Sequence, residues 1–216
     1  MAYQDPRSGR GAGFTALPAR ALGAGPLRDS FEFLRGFLRN PAQVGSVWPS
    51  SARLEQHLVR SARIAQARTV VELGPGTGGT TAAFLAALPA TGRLLAVELD
   101  PGFHRHLQHS LRDARLVLVQ VSAERLAELL AARRLPAPEA IVSGIPFSTM
   151  DPELADRIAA GIAQVLAPGG RFVAYQVRAH VADYTRRYLG RGDRHWEWVN
   201  VPPVRVFSWT KPASPS

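Results

Sequence analysis

The sequence has 216 residues, of which 46% are hydrophobic and 20% are charged, a balance typical of a globular protein with a hydrophobic core. It contains no cysteine, which excludes disulfides, cysteine-ligated zinc and a cysteine nucleophile. No apolar run reaches the roughly 18 residues that a transmembrane helix needs, and the first residues lack a secretory signal, so we expect a cytoplasmic protein.

The net charge of +9 is concentrated in the first third of the chain. Lys211 is the only lysine, and residues 1–68 carry ten arginines against four acidic residues, a balance of +6. Arginine usage of this kind partly follows genome composition. Because the excess lies in one part of the chain, it also predicts an anionic partner, either nucleic acid or a membrane surface.

Two segments precede the main domain. Residues 1–27 are rich in Gly, Ala, Pro and Arg without periodicity and predict a flexible basic tail. Residues 28–51 begin with an amphipathic helix, capped by Asp29 and Glu32 and ended by Asn40-Pro41. We expect this helix to bind an anionic membrane surface, although a helix packed on its own domain would show the same pattern. Its membrane-facing residues would be Phe31, Phe33, Leu34, Arg35, Phe37, Leu38 and Arg39.

Residues 52–211 show regular α/β alternation and form the predicted main domain, with 212–216 as a short tail. Helices are predicted at 51–67, 79–88, 101–111, 123–133 and 152–166, and strands at 68–73, 93–99, 115–121, 140–143 and 171–177, with a further segment around 181–189. Helical crossovers imply parallel strands, whereas the last two runs, 196–201 and 204–209, are close enough to form an antiparallel hairpin. The expected fold is a doubly wound, Rossmann-like α/β sheet of seven strands whose last strand is antiparallel.

A glycine-rich loop follows the first strand and opens the next helix. Gly74, Gly76 and Gly78 let the backbone turn tightly and approach a ligand closely. Glu98 ends the second strand, where a carboxylate binds ribose hydroxyls. A nicotinamide dinucleotide or S-adenosylmethionine would suit this loop. Glu72 favours S-adenosylmethionine, because a carboxylate attracts the ammonium of a methionine moiety and repels a pyrophosphate.

The turn Ser122-Ala123-Glu124 follows the third strand, where it can meet an adenine edge, and Leu99 follows Glu98 beside the same ligand. With the terminal hairpin, these features resemble the class I S-adenosylmethionine-dependent methyltransferases from about residue 69 to 209. The resemblance implies S-adenosylmethionine as cofactor and S-adenosylhomocysteine as product.

A narrower resemblance concerns the methyl acceptor. The segment Val44-Gly45-Ser46-Val47-Trp48-Pro49-Ser50-Ser51 and the motif Ser143-Gly144-Ile145-Pro146-Phe147 resemble bacterial phospholipid N-methyltransferases of the PmtA type. The second motif is also similar to the Asn-Leu-Pro-Tyr sequence of ribosomal RNA adenine dimethyltransferases, which holds the target nitrogen and stacks on the base. Ser143 and Phe147 stand where that family has Asn and Tyr, and Phe147 is alternatively a core residue.

An amine acceptor must lose its proton before it can accept a methyl group, and aromatic surroundings favour both its desolvation and the methylated product. Trp48, Phe147 and Tyr175, with Ser143, are the candidate catalytic residues. Arg178, His180 and Arg187 are candidates for binding a lipid phosphodiester, although each is also typical of a solvated surface charge. Three histidines, His104, His106 and His109, lack a completing carboxylate, so no metal is expected.

The prediction is therefore N-methylation of phosphatidylethanolamine toward phosphatidylcholine, by a monomer at the inner face of the cytoplasmic membrane, without nucleic acid. An RNA adenine dimethyltransferase is one alternative; it would be expected to carry a helical RNA-binding extension after the hairpin, and the sequence ends at Ser216. A non-catalytic lipid-binding module is the other.

Overall fold

A computed structural model of the chain describes residues 51–198, 200 and 203–213. The predicted tail 1–27, the predicted helix with Phe31 to Arg39, and Trp48 lie outside the described residues. Their assignments therefore stay predictions.

Six α-helices and seven strands are present in the described part of the chain. The helices are α1 (Ala52–Ser61), α2 (Gly79–Ala87), α3 (Pro101–Ser110), α4 (Leu126–Ala132), α5 (Pro152–Val165) and α6 (His180–Leu189). The strands are β1 (Thr69–Leu73), β2 (Arg93–Glu98), β3 (Leu116–Gln120), β4 (Ala140–Ser143), β5 (Arg171–Gln176), β6 (Asp193–Glu197) and β7 (Val204–Thr210). Short 3₁₀ turns cover Ile64–Gln66, Ala123–Arg125 and Phe147–Thr149.

The strands form one sheet in the order β3-β2-β1-β4-β5-β7-β6. Strands β1 to β5 are parallel, and β7 runs antiparallel to both β5 and β6. Because β6 opposes β7, it runs in the same direction as β1–β5, and its carboxyl end lies at the same edge of the sheet. The predicted seven-stranded fold with one reversed strand is confirmed.

Three predicted elements differ in detail. Strand β6 occupies Asp193–Glu197 rather than 196–201, because its pairing with β7 ends at Glu197 opposite Val204. The helix predicted at 51–67 ends at Ser61, since Arg63 adopts a left-handed conformation that directs Ile64 into the core. The untyped segment around 181–189 is helix α6.

Each face of the sheet is covered by helices. On one face, Leu54 and Leu58 of α1 and Phe84 of α2 pack against alternate residues of the strands, such as Val70 and Val173. On the other face, helices α4, α5 and α6 cover the intervening residues. This alternation places Glu72 and Tyr175 on the α1/α2 face, and Ser143 on the α5/α6 face.

Lys211 closes the carboxyl end of helix α5. Its Nζ donates hydrogen bonds to the carbonyl oxygens of Ala163, Gln164 and Leu166 at 2.8, 3.2 and 2.7 Å. These carbonyls have no partner within a helix, and a cation favours that end of the helix dipole. Lys211 therefore ties the end of β7 to α5.

We expect Lys211→Met to destabilise the fold by about 1–3 kcal/mol, because it removes the cation and leaves those carbonyls without their donor. Chemical denaturation measures the change. Lys211→Arg keeps a cationic donor and should retain most of the stability. An equal loss in both variants would contradict the capping role.

Candidate active site

The carboxyl ends of β1, β2, β4 and β5 meet at one edge of the sheet, where the loops after β1 and β4 touch. The Gly74 N–H donates to the Val97 carbonyl and the Gly144 N–H to the Leu73 carbonyl, both at 2.9 Å. A Cβ on Gly74 would lie 2.8 Å from Cγ2 of Ile145, so only glycine permits this approach. The loops therefore form one surface.

The glycine loop leaves space above its backbone. Gly74, Gly76 and Gly78 have φ angles of 74°, 58° and 89°, which L side chains rarely adopt. A Cβ built on Gly76 would meet no protein atom within 4 Å, so the backbone there faces open space. A ligand can approach this main chain closely.

Glu98 joins the loop to the end of β2. Its carboxylate accepts a hydrogen bond from Gly76 N–H at 3.0 Å and another from Asp100 N–H at 2.9 Å. Burial raises the pKa of Glu98, while these N–H groups act in the opposite direction. Each oxygen retains acceptor capacity, so Glu98 can also bind two hydroxyl groups.

Glu72 is buried beneath the loop. It accepts a hydrogen bond from the Thr80 hydroxyl, whereas its Oε2 has no partner among the described residues. Burial, opposed by the threonine contact and reinforced by the charge of Glu98, raises the pKa of Glu72 to about 7. Near neutral pH the protonated and ionised forms of this carboxyl are both populated, and a cation beside it would favour the ionised form.

Tyr175 reaches from the end of β5 onto the loop after β4. A Cβ on Gly144 would overlap the Tyr175 hydroxyl, so the phenol lies directly over this glycine. Burial, then the charge of Glu72, raises the pKa of Tyr175, while a hydrogen bond with Thr80 acts in the opposite direction. The side chain is therefore a protonated hydroxyl and does not act as a phenolate base.

Three residues that contribute to the site were not predicted from the sequence. Thr80 contacts both Glu72 and Tyr175. The Glu55 carboxylate would lie 2.8 Å from a Cβ on Gly79, and burial raises its pKa. The Gln176 side-chain amide donates a hydrogen bond of 2.6 Å to the Ile145 carbonyl. This bond fixes the loop after β4, which begins at Gly144. The sequence signal for a close contact at this loop was Gly144, which lies inside the motif Ser143–Phe147.

Two residues predicted to contact the acceptor, Phe147 and Ser143, are buried. Phe147 is 1% exposed, packs in the core of the α5/α6 face and faces Tyr184 with ring centroids 6.3 Å apart. It supports the loop from below and offers no open face to an acceptor, so its core alternative matches the structure. Ser143 is also buried, and its hydroxyl has no partner among the described residues.

The predicted adenine contacts lie together beyond β2 and β3. Leu99, Ser122, Ala123 and Glu124 are all half-buried at the carboxyl edge of the sheet. Val121 N–H donates to the Glu98 carbonyl at 3.2 Å, which keeps this turn beside the ribose-binding candidate. Glu124 also pairs with Arg157 at 3.6 Å.

The three predicted phosphate-binding residues do not form one group. Arg178 and His180 are exposed at the start of α6, at the carboxyl edge. Arg187 lies about two turns further along α6, where it pairs with Asp156 at 3.3 Å. Arg187 is therefore separated along α6 from Arg178 and His180, and its role in binding a phosphodiester stays a prediction.

His104, His106 and His109 are on α3, and burial lowers the pKa of His104. Within residues 51–198, 200 and 203–213, no three metal-ligating side chains come together. In the same part of the chain, no helix has the length and apolar content needed to cross a membrane.

The fold and the loop define a class I methyltransferase. Solved structures with this fold include a 1,6-didemethyltoxoflavin N1-methyltransferase from Burkholderia thailandensis, at 20% identity and a TM-score of 0.62 over 90% of this chain and 94% of that one. The O-methyltransferase TomG from Streptomyces achromogenes has 16% identity and a TM-score of 0.61 over 91% and 93%. No protein-family model matches the sequence.

Curated sequences define the family more narrowly. An ornithine lipid N-methyltransferase from Singulisphaera acidiphila is 30% identical over 183 residues, which cover 84% of this chain and 95% of that enzyme. The chain belongs to the methyltransferase family of this enzyme. A ribosomal RNA small subunit methyltransferase A from Nocardia farcinica is 33% identical over 172 residues, and the chain spans 54% of its length.

S-adenosylmethionine is the methyl donor of this class, and the residues around the loop fit it. The open space above Gly76 admits a ligand against the backbone, and Glu98 has acceptor capacity for ribose hydroxyls. Glu72 and Glu98 suit a ligand that carries a sulfonium and an ammonium, and they disfavour a pyrophosphate. The prediction of S-adenosylmethionine as cofactor is confirmed.

We expect Glu72→Gln to stabilise the fold increasingly as pH rises. In the folded protein Glu72 titrates near 7, against 4.5 for an ordinary glutamate, so wild-type stability falls as pH rises between these values. Glutamine carries no charge and avoids this loss, which is on the order of 2 kcal/mol between about pH 5 and about pH 8.

Thermal unfolding across this range measures the effect, with exposed Glu128→Gln as the control. A stability difference that is independent of pH would contradict the titration of Glu72.

Proposed function

We propose that this protein transfers methyl groups from S-adenosylmethionine to the primary amine of a membrane lipid. The observation that carries the proposal is a site of buried carboxylates around an open glycine loop, with the Tyr175 hydroxyl over Gly144 where the acceptor would enter. Family membership with a lipid N-methyltransferase supports the same acceptor class.

The cofactor supplies an electrophilic methyl group on a sulfonium, and transfer is an in-line displacement that depends on positioning. Glu72 would attract the methionine ammonium, and Gly74, Gly76 and Gly78 would bring main-chain groups close to it. Glu98 would accept hydrogen bonds from the ribose. Leu99 and residues 122–124 would border the adenine.

Tyr175 would position the acceptor nitrogen. Because its pKa is raised, the hydroxyl stays protonated and its oxygen can accept a hydrogen bond from an amine N–H. Such a bond would direct the nitrogen lone pair toward the donor. Tyr175 does not remove the amine proton, so the neutral fraction of the amine would limit the rate.

The placement of Phe147 favours a lipid amine over an adenine base. Recognition of an extruded base requires an aromatic ring with an open face. Phe147 is buried in the core, and Ser143 beside it is buried as well. The match to ribosomal RNA methyltransferases keeps RNA methylation as the second candidate.

Phosphatidylethanolamine is the acceptor that the sequence predicts, and a lipid with an ornithine headgroup is the acceptor named for the relative. Both present a primary amine at a membrane surface. Exposed Arg178 lies at the carboxyl edge and would contact the phosphodiester of the first lipid. We further propose that the protein works as a monomer at the inner face of the cytoplasmic membrane.

Transfer of label from radioactive S-adenosylmethionine tests the proposal. Separate reactions contain phosphatidylethanolamine vesicles, ornithine-lipid vesicles and ribosomal RNA. We expect label in a lipid amine and none in RNA. Label only in RNA would overturn the lipid assignment, and binding of S-adenosylhomocysteine without transfer to any acceptor would indicate a non-catalytic module.

Glu98→Ala should weaken S-adenosylhomocysteine binding by about tenfold or more, because hydrogen bonds to a charged group contribute about 1.5–3 kcal/mol. Isothermal titration calorimetry measures the change. Exposed Glu128→Ala is the control and should bind normally. An unchanged affinity for Glu98→Ala would show that ribose binding lies elsewhere.

Tyr175→Phe should lower kcat by about tenfold while the affinity for S-adenosylhomocysteine stays within about twofold of wild type. The substitution removes only the hydroxyl that we assign to the acceptor. Steady-state methyl transfer and calorimetry together measure the difference. Equal losses in rate and cofactor affinity would assign Tyr175 to the cofactor instead.

A further inference from the structure

Two exposed tryptophans lie at the carboxyl end of β6. Trp196 and Trp198 are 38% and 67% exposed, and their rings stack with centroids 4.6 Å apart. Val177, at the end of β5, is also exposed. With Arg205 on β7, these residues form a surface that we call the tryptophan edge.

Arg205 holds this surface together. Its Cζ lies 4.3 Å from the centroid of the Trp196 ring, and its Nη1 donates a hydrogen bond of 2.8 Å to the Val177 carbonyl. Arg205 is also paired with Trp196 on β6 and with Gln176 on β5. The tryptophan edge is therefore fixed by strand pairing rather than carried on a long loop.

The tryptophan edge is close to the active site. Trp196 and Tyr175 lie near the carboxyl ends of β6 and β5, at the same edge of the sheet. Only β7 separates these two strands, which places them about 10 Å apart. Trp196 shares a face of the sheet with Arg205 and Gln176, whereas Tyr175 lies on the other face, so the two side chains leave opposite faces at the same carboxyl edge. A surface that bound the tryptophan edge would therefore lie across the carboxyl ends of β5 and β6.

The charges around the tryptophan edge suit an anionic surface. Arg178 is exposed just after Val177, and Arg205 is part of the tryptophan edge itself. Glu197, which lies between the two tryptophans, is buried and pairs with Arg53 at 3.0 Å and with His57 at 3.2 Å, whereas exposed Asp193 lies at the other end of β6. The charge of Glu197 is therefore compensated away from the indoles.

From this geometry we infer that the tryptophan edge inserts into the headgroup region of an anionic lipid bilayer and directs the active site toward it. Indole side chains favour the interface between lipid and water, because one part of the ring system is apolar and its N–H is polar. The inference rests on the proposed lipid acceptor and adds a second membrane contact to the predicted helix at 31–39.

Ring stacking distinguishes the two tryptophans as contacts for single-stranded RNA. The Trp196 ring stacks with Trp198 and is contacted by Arg205, whereas Trp198 is 67% exposed and offers an outer face on which a base could stack. RNA binding is therefore an outcome that the experiments must separate from lipid binding. Ring edges can still insert among lipid headgroups.

Vesicle flotation of the full chain tests the inference. With equimolar phosphatidylglycerol and phosphatidylcholine, Trp198→Ala should bind several-fold more weakly than wild type, and Trp196→Ala with Trp198→Ala about tenfold more weakly. Tyr188→Ala is the matched control: Tyr188 is also 38% exposed, but it lies at the far end of α6 and contacts Asp156. Unchanged binding of both tryptophan variants would overturn the inference.

Tryptophan fluorescence provides a second measurement, which does not require the alanine variants of Trp196 and Trp198 to fold. In Trp48→Phe protein, the remaining tryptophans are Trp196, Trp198 and the buried Trp209. Vesicles with brominated acyl chains should quench the emission of this protein strongly. Bound protein without quenching would place the tryptophan edge away from the lipid and overturn the inference.

Activity separates this inference from the proposed function. The double tryptophan variant should transfer methyl groups to vesicle lipid about tenfold more slowly than wild type. On a short-chain phosphatidylethanolamine that dissolves without forming vesicles, it should keep wild-type activity, and its binding of S-adenosylhomocysteine should be unchanged. Equal activity of variant and wild type on vesicles would overturn the inference alone. Methyl transfer by the wild-type protein to RNA alone would overturn the proposed function. Loss of RNA binding in the double variant would assign the tryptophan edge to RNA instead of lipid.

Discussion

Glu72 and Glu98 are buried at the carboxyl ends of neighbouring strands, and none of the groups that set their pKa values in the described part of the chain is basic. Burial raises the pKa of both carboxyls, and the charge of Glu98 raises that of Glu72 further. Ionisation of these two carboxyls is therefore unfavourable unless a positively charged group binds beside them. A ligand with a sulfonium and an ammonium relieves this, whereas a pyrophosphate would make it worse.

The same constraint links stability to function. A neutral Glu72 is the form that the empty fold favours at low pH, and an ionised Glu72 is the form that a cationic ligand favours. Replacing it by glutamine would therefore benefit the fold and harm ligand binding. Residues that bind a ligand commonly carry such a conflict, because the selection acts on the complex rather than on the empty site.

Short sequence patterns were sufficient to predict most of the helices and strands. The glycine loop, the Asp-Pro starts of α3 and α5, and the apolar strands all signal their structure over a few residues. Strand β6 was misplaced because its residues, Asp193 to Glu197, are largely polar, whereas the apolar run that follows is the better strand by composition. Its true position depends on pairing with β7, which is a long-range property.

The site was predictable where a motif carries the chemistry and unpredictable where packing decides. Glu72, Glu98 and the three glycines stand in one loop and the next strand end, so spacing found them. Phe147 was assigned from its place in a motif and Arg187 from its position after Tyr175, and neither signal indicated the packing of Phe147 against Tyr184 or the pairing of Arg187 with Asp156. No local spacing connects Glu55 to Gly79, because their contact exists only once α1 packs beside α2.

The arrangement of charge explains how one small domain could serve a membrane-bound amine. The carboxyls of Glu72 and Glu98 are buried under the loop, where they would favour a cationic cofactor, while exposed Arg178 lies at the carboxyl edge. An acceptor with an amine beyond an anionic group would meet Arg178 first and extend its amine inward toward Tyr175. A nucleobase offers no such cationic group, and Phe147 has no free face for it. Burial of that ring therefore argues against stacking of an extruded base on Phe147 in this fold.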